Sequence, residues 1–177
     1  YGDRLTMASA SLATLRSYQG FETVSEQIDN ELRPFYFGGR NQCFTTGVVK
    51  GNFKVYDINS SYPNVMKRYN HPISDTPKYE AKITSRTHFA KIRAWSLGAL
   101  PVRKDDGGLD FPVGTFDFYA CIHEINAGLE TGTLKIRHVY YSIYFETEAN
   151  FAAFVDDGFA KRRVFKEAGD KAGDILE

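Results

Sequence analysis

The turn Lys104-Asp105-Asp106-Gly107-Gly108 constrains the fold more than any other feature of this chain. An Asp-Gly pair between strand-forming runs signals a hairpin, because the glycine accepts the positive φ of a tight reversal. Candidate strands surround it. They are Thr87 to Trp95, Leu97 to Arg103 after a bend near Ser96-Leu97-Gly98, Thr115 to Ala120, and Leu134 to Phe145. In the third, Phe116, Phe118 and Ala120 share one face; in the fourth, the inward phase switches near His138-Val139, as a bulge would cause. Helical patterns flank these strands. Thr6 to Tyr18 carries Leu5, Leu12 and Leu15 on one face, with Thr6 as cap and Gly20 as stop. Asn64 to Tyr69 and Ile122 to Leu129 are short helical segments. Glu148 to Phe165 is amphipathic, with Phe151, Phe154, Val155 and Phe159 forming its apolar stripe. At 177 residues the chain can bury a sizeable core. The mixture predicts an α+β fold.

Several function classes are excluded at this level. No window approaches 18 consecutive apolar residues, so no membrane span is expected. Cys43 and Cys121 make neither a CxxC pair nor a disulfide framework, which predicts a reducing, intracellular setting. The four histidines lack metal-ligand spacing, and zinc is not expected. A chain opening on Tyr1-Gly2-Asp3-Arg4, without an initiator Met or a signal-peptide core, is expected to be an excised or processed piece.

Charge needs a closer look. The 22 basic and 22 acidic residues cancel, which by itself argues against a nucleic-acid binder. The balance is uneven, however. Lys78, Lys82, Arg86, Lys91, Arg93, Arg103 and Lys104 face only Glu80 between positions 78 and 104. Lys91 and Arg93 fall on one face of a strand, interleaved with Phe89 and Trp95. Such a face suits sequence-independent phosphate contacts, and equally suits a sheet guarded by charge.

The densest chemistry lies in Lys54-Val55-Tyr56-Asp57-Ile58-Asn59-Ser60-Ser61-Tyr62-Pro63. Phe53 to Ile58 reads as a strand and Asn59 to Pro63 as a turn. A carboxylate at a strand end sits on a rigid edge, and the following turn offers N–H groups to phosphate oxygens. One such Asp is half of a magnesium site; it is also what an Asx turn looks like. Upstream, a polar, acidic stretch leads through a change of direction at Arg33-Pro34 into Tyr36-Phe37-Gly38-Gly39, aromatics broken by paired glycines. Adjacent glycines permit tight backbone geometry and the close approach of another surface.

Taken together these segments resemble a known family. Asp57-Ile58-Asn59-Ser60-Ser61-Tyr62-Pro63 is similar to motif A of family B DNA polymerases, Asp-x-x-Ser-Leu-Tyr-Pro, with Ser61 where Leu is usual. Tyr36-Phe37-Gly38-Gly39, 21 residues upstream, resembles the Tyr-x-Gly-Gly motif between exonuclease and polymerase domains. The protein-primed, phage-type branch is the nearest likeness. The resemblance implies a palm-type antiparallel β-sheet with flanking helices. It also implies segments at 1–34 (end of an exonuclease-like domain and linker), 35–70 (Tyr-x-Gly-Gly loop and motif A), 71–145 (β-rich palm and insertion) and 146–177 (base of the fingers).

The same resemblance implies roles. Asp57, with Ile58, would hold catalytic Mg²⁺; Ile58, Asn59, Ser60 and Ser61 would cradle a deoxynucleoside triphosphate. Tyr62 would be the gate against a 2′-hydroxyl, the alternative being a turn aromatic anchored on the core. Tyr36, Gly38 and Gly39 would meet template DNA, and Lys91 and Arg93 would contact DNA from the sheet. Arg162 and Lys166, four apart on one helix, would meet the triphosphate, or else form a solvated cationic face. Partners would be primer-template DNA, triphosphates and a priming terminal protein, in the cytoplasm of a bacterial or phage-infected host. Motif B and an Asp-Thr-Asp motif are not found in these 177 residues. The expectation is therefore a polymerase fragment inactive alone. A catalytically silent polymerase-derived module that binds DNA or a priming protein is the alternative. Asp105-Asp106 and Asp156-Asp157 read as solvated, and His123-Glu124 as structural.

Overall fold

The computed structural model describes residues 6–21, 23–40, 43 and 45–169. Tyr1, Gly2, Asp3, Arg4 and Leu5, used above, lie outside them. The described residues of 1–22, 41–73 and 147–177 form one compact unit, and those of 23–40 and 74–146 a second.

In the first unit, α1 (Met7–Tyr18) starts with reciprocal capping: Ser9 N donates to Thr6 Oγ1 at 3.1 Å and Thr6 N to Ser9 Oγ at 3.3 Å. The segment Phe53 to Ile58 is a correction to the sequence reading. It forms no strand among the described residues. Val55 is 96% exposed and Tyr56 84%, with no neighbouring strand to complete a ladder. Strand-forming residues cannot hold a ladder without a partner. Next come α3 (Ser61–Arg68), β1 (Asn70–Pro72), β8 (Glu148–Asn150) and α5 (Ala152–Glu167). β1 and β8 pair antiparallel, so Glu148 to Asn150, expected to be helical, is strand instead. Phe151 N donates to Met66 O at 3.3 Å, bringing the start of α5 onto α3. Tyr18 stacks edge-on against Phe154 at 5.9 Å and donates its hydroxyl to Asp157 at 2.5 Å, tying α1 to α5.

The second unit holds α2 (Glu26–Leu32), which the sequence reading treated only as a polar stretch. Ser25 caps it through Ile28 N at 3.4 Å, and no residue of the helix is buried. A single 3-10 turn, Arg33–Phe35, follows with Pro34 at its start. The main sheet contains β2 (Lys78–Glu80), β3 (Phe89–Leu97), β6 (Val113–Cys121) and β7 (Leu134–Tyr144), in the order β2-β7-β3-β6 and antiparallel throughout. The register of β3 against β7 shifts twice, between Lys91 and Ile92 and between Arg93 and Ala94, leaving Tyr140 and Arg137 as extra residues. The expected bulge near His138-Val139 is thus a pair of bulges flanking it.

Leu97 to Arg103 is a second correction. Leu97 closes β3 against Val113, and beyond it only β4 (Val102–Arg103) pairs, with β5 (Leu109–Asp110) across the predicted Asp-Gly turn, where Gly107 takes φ 82°. Ahead of it Gly98 adopts φ 68°, Ala99 N donates to Ser96 Oγ at 2.8 Å, and Leu100 is buried in the core. A turn that inserts a leucine into the core breaks the strand that composition suggests.

Alternation does the rest. On β3, Ala90, Ile92, Ala94 and Ser96 are fully buried and meet Phe118, Ala120 and Leu134, with Ile125 from α4 (Ile122–Glu130) closing that core. On the opposite face Phe35, Ile143 and Phe145 make a smaller cluster joined by Phe89, Tyr119 and Tyr141.

Candidate functional site: a carboxylate–arginine cleft on α3 and α5

Asp57, Asn59 and Ser60 converge with Phe159 and Arg162 around an open cleft of about 530 Å³. The first three lie on the turn that opens α3; the last two are three apart on α5 and so share a helix face. The turn has local causes. Asp57 Oδ1 accepts a hydrogen bond from Ile58 N at 2.9 Å, which holds the carboxylate beside its own backbone. Ser60 then takes φ 50°, ψ 51°, the one positive φ outside glycine among the described residues. A left-handed serine costs about 1–3 kcal/mol and persists only where its surroundings hold it.

That conformation shapes the start of α3. Ser60 supplies no side-chain cap, and Asn64 N donates to Ser60 O at 2.9 Å. Pro63 has no N–H to leave unmatched. The Ser61 and Tyr62 amides are therefore the open donors of the first turn, at the positive end of the helix dipole. With the Arg162 guanidinium across the cleft, this end suits an anion, and Asp57 suits a cation bound with it.

Ile58, Ser61 and Tyr62 border the cleft in sequence without lining it, and Lys166 stands one turn beyond Arg162, exposed. The alternative reading of Tyr62 fails: its ring is 83% exposed and anchors on no core. Asp156 and Asp157 are not merely solvated, as the sequence suggested. Lys67 Nζ reaches Asp156 at 2.5 Å, while Tyr18 and Lys161 hold Asp157. The Lys161 bond and the Tyr18 hydroxyl keep the Asp157 carboxyl below its usual range. Glu124 is structural as expected, accepting Cys121 N at 3.0 Å to cap α4.

The other expected contact residues belong to the second unit. Tyr36 is 79% exposed, and its carbonyl accepts from Arg103 Nη2 at 2.9 Å, with the Arg103 guanidinium 5.3 Å from the Phe37 ring. They edge a mostly apolar cleft of about 620 Å³ that also includes Arg33 and Tyr119. Gly38 and Gly39 have ordinary φ, and a Cβ at either would meet nothing within 4 Å. Tight geometry, one of the two reasons glycine was expected, is absent here; close approach from outside is the reason left. On β3, Lys91 and Arg93 do share the face opposite the core. Arg93 already pairs with Asp117 on β6 at 3.3 Å, and Arg86 with Glu80 at 2.6 Å. Lys91 Nζ sits over the Tyr119 and Tyr140 rings at 4.9 and 5.4 Å. The excess of positive charge read from positions 78–104 is thus partly offset across the strands.

Sequence reasoning missed Phe159 as a cleft wall, although its three-residue offset from Arg162 was visible. Among the described residues no group of three His, Cys, Asp or Glu side chains forms a metal cluster, and no helix is long and apolar enough to cross a membrane. Asp57 carries one protein hydrogen bond, to Ile58 N. It therefore fits as one ligand of a Mg²⁺ site whose remaining ligands are phosphate oxygens, water and a carboxylate from elsewhere.

Comparison with known proteins bears on this geometry. Residues 2–176 match the model of DNA polymerase type B, organellar and viral. Over 171 residues the chain is 41% identical to the DNA-directed DNA polymerase of Enterobacteria phage PRD1, covering 96% of this chain and 31% of that one. The fold matches phi29 DNA polymerase in an orthorhombic crystal form with a TM-score of 0.67 at 18% identity, over 98% of this chain and 34% of that one. It matches the same enzyme complexed with primer-template DNA at 0.66 and 20% identity. The chain spans about a third of the length of these relatives. With the family model covering nearly its whole length, the chain belongs to the type B DNA polymerases of organelles and viruses.

Proposed function

We propose that the chain serves as the motif A and fingers-base segment of a DNA-directed DNA polymerase of the protein-primed, phage-type branch. In this reading it acts on primer-template DNA in the host cytoplasm. The convergence of Asp57, Asn59, Ser60 and Arg162 on one cleft carries the reading. In it, Asp57 presents a carboxylate to the cation, with the Ile58 backbone beside it. Ser61 and Tyr62 donate their amides to triphosphate oxygens, and Arg162 neutralises charge from the other wall, with Lys166 further along. Tyr62 bars a 2′-hydroxyl from beneath the sugar. Bound Mg²⁺ would activate the primer hydroxyl and neutralise charge on the leaving pyrophosphate. One carboxylate is too few for that chemistry, so this segment positions and a further one completes the site.

Tyr36, Gly38 and Gly39 are assigned to the template backbone, which the open space at both glycines supports. Lys91 and Arg93 are assigned to DNA phosphates, Lys91 the more strongly because Arg93 is already paired. A priming terminal protein remains an assigned partner on the likeness to this branch alone. Segments 1–34, 35–70, 71–145 and 146–177 take the exonuclease-end, motif A, insertion and fingers-base roles.

The test is primer extension. In a polypeptide that joins this chain to the second metal carboxylate, Asp57→Asn should reduce extension at least about 10³-fold, the scale of losing a preorganised charge contact. The 177-residue chain alone should not extend a primer. Extension by the isolated chain that survives Asp57→Asn would sink the assignment.

A further inference from the structure

We infer that Asn150 is a positioning residue for the Asp57–Arg162 cleft, an inference that rests on the reading of the cleft given above. Its side-chain amide does two jobs. Nδ2 donates to Lys67 O at 2.8 Å and to Tyr69 O at 3.0 Å, while Oδ1 accepts from Ala152 N at 2.8 Å. The first pair closes the C-terminal end of α3, whose last carbonyls have no partner within the helix. The third holds the first residue of α5, whose own N-cap, Phe151, supplies no side-chain bond. Only a group with donors and an acceptor on one short stem can do both: Asp lacks the donors and Leu lacks everything.

The two helices meet at Asn150, and both reach the cleft at their other ends. α3 runs from Ser60 at the cleft to Arg68 near the clamp, and α5 runs from Ala152 at the clamp to Arg162 at the cleft. Arg162 lies ten residues beyond Ala152, about 15 Å along the helix at 1.5 Å per residue. A pivot of about 4° at the clamp therefore moves the guanidinium by about 1 Å, a misplacement worth about 100-fold in a positioned reaction. The Lys67–Asp156 pair also bridges α3 and α5, but its side chains are 49% and 55% exposed. A solvent-exposed ion pair fixes little. Backbone pairing of Asn70 with Asn150 and the Phe151 N to Met66 O bond set the strand beside the clamp. Neither reaches the Ala152 amide. Beside the Phe151 N to Met66 O bond, the Asn150 side chain is the side-chain link that joins both helix ends.

The clamp bonds are exposed to water. Their removal should shift geometry more than stability. The experiment uses the full chain with Cys43→Ser and Cys121→Ser, spin-labelled at Asn64→Cys on α3 and Ala160→Cys on α5. Pulsed dipolar spectroscopy reads the distance between the labels, and calorimetry reads binding of Mg²⁺-tripolyphosphate. With Asn150 intact, one narrow distance distribution is expected. Asn150→Ala should broaden or displace it, and weaken tripolyphosphate at least about tenfold, with little change in the thermal midpoint. Asn150→Asp should broaden the distance distribution likewise at pH 7 and narrow it in part toward pH 4, where its carboxyl regains one proton to donate. A role in stability alone would not give that reversible recovery. If Asn150→Ala does not fold, Asn150→Asp, nearly isosteric, carries the same test. Distance distributions that coincide with and without the Asn150 amide overturn the inference. A parent chain that ignores tripolyphosphate while Asn150→Ala still broadens the distribution refutes the cleft reading and supports the clamp.

Discussion

The same substitution should have opposite signs in two helices of this chain. Gly128 lies within α4 and is buried against β7; an added Cβ would sit 2.8 Å from Leu134 Cβ and 3.3 Å from its Cδ2. Leu134 is 2% exposed, and its Cβ hangs on a strand paired with Ser96, so the close atom cannot swing aside as a flexible tip would. Ordinary contact begins near 3.4 Å, so helix or strand must retreat by about half an ångström. Overpacking on this scale costs about 1–3 kcal/mol. Replacing a helical glycine by alanine returns about 1 kcal/mol. The net for Gly128→Ala is a loss of up to about 2 kcal/mol. At about 2–4 °C per kcal/mol for a chain of this size, the thermal midpoint should fall by up to about 8 °C. Gly158, within α5, is the control, because a Cβ there meets nothing within 4 Å. Gly158→Ala should raise stability by about 0.5–1 kcal/mol. Urea titration with two-state fitting measures both. Equal gains in the two variants would refute the packing argument at the α4–β7 contact.

Three further outcomes follow from other groups. Burial, then the hydrogen bond to Glu31, pushes the Tyr79 phenol up to about 12 from 10.0. Its contribution is thus complete below about pH 10 and lost as pH rises toward 12; Tyr79→Phe should flatten the alkaline fall of the denaturation midpoint in that window. Desolvation pushes the Cys121 thiol up to about 11, whereas Cys43 is exposed. Iodoacetamide at pH 8 should modify Cys43 in the native protein and Cys121 only after unfolding, as peptide mass spectrometry would show. If the β3 face binds duplex DNA, Lys91→Ala should lower the slope of log affinity against log salt by about 0.9. Arg93→Ala should lower it less, since Asp117 already offsets that charge. Equal slopes for the two variants would remove the cross-strand pair from the account.

Much of this was legible in the sequence because it is local. Thr6 and Ser9 announce their own capping box, Asp106-Gly107 its turn, and the even positions of β3 their burial. The failures share a cause as well. Phe53 to Ile58 has strand composition, but a strand is a relation between two segments, and the described residues offer no second one. Leu97 to Arg103 has it too, yet Leu100 finds more stabilisation in the core than in a ladder. The α2 helix was hidden because none of its residues is fully buried, leaving the cap at Ser25 as its clearest local sign. At the cleft, Asp57 and Arg162 were each visible from their motifs. That they share one space with Phe159 depends on β1 pairing with β8, which neither segment reveals alone.

The positions whose residue type the fold does not require are those where the chemistry has to be sought. Gly128 is glycine because Leu134 leaves no room, and a packing reason is sufficient. Gly38 and Gly39 have room and ordinary backbone, so nothing inside the described structure asks for them. Ser60 bears a strained conformation that a glycine would relieve, and Tyr62 holds a large ring in water. The left-handed serine costs stability locally, and the tyrosine ring gains none from packing. No packing partner among the described residues accounts for the strained serine, the exposed tyrosine or the two spacious glycines. In the proposed reading three of these features meet phosphate, sugar and nucleic-acid backbone: open amides behind the strained turn, a flat ring beside them, and bare backbone where a strand can pass. The Phe53–Ile58 segment pairs with no strand among the described residues. Within the first unit this segment runs through Asp57 directly into the strained turn at Ser60, so the carboxylate is held at the join of an unpaired segment and a helix start.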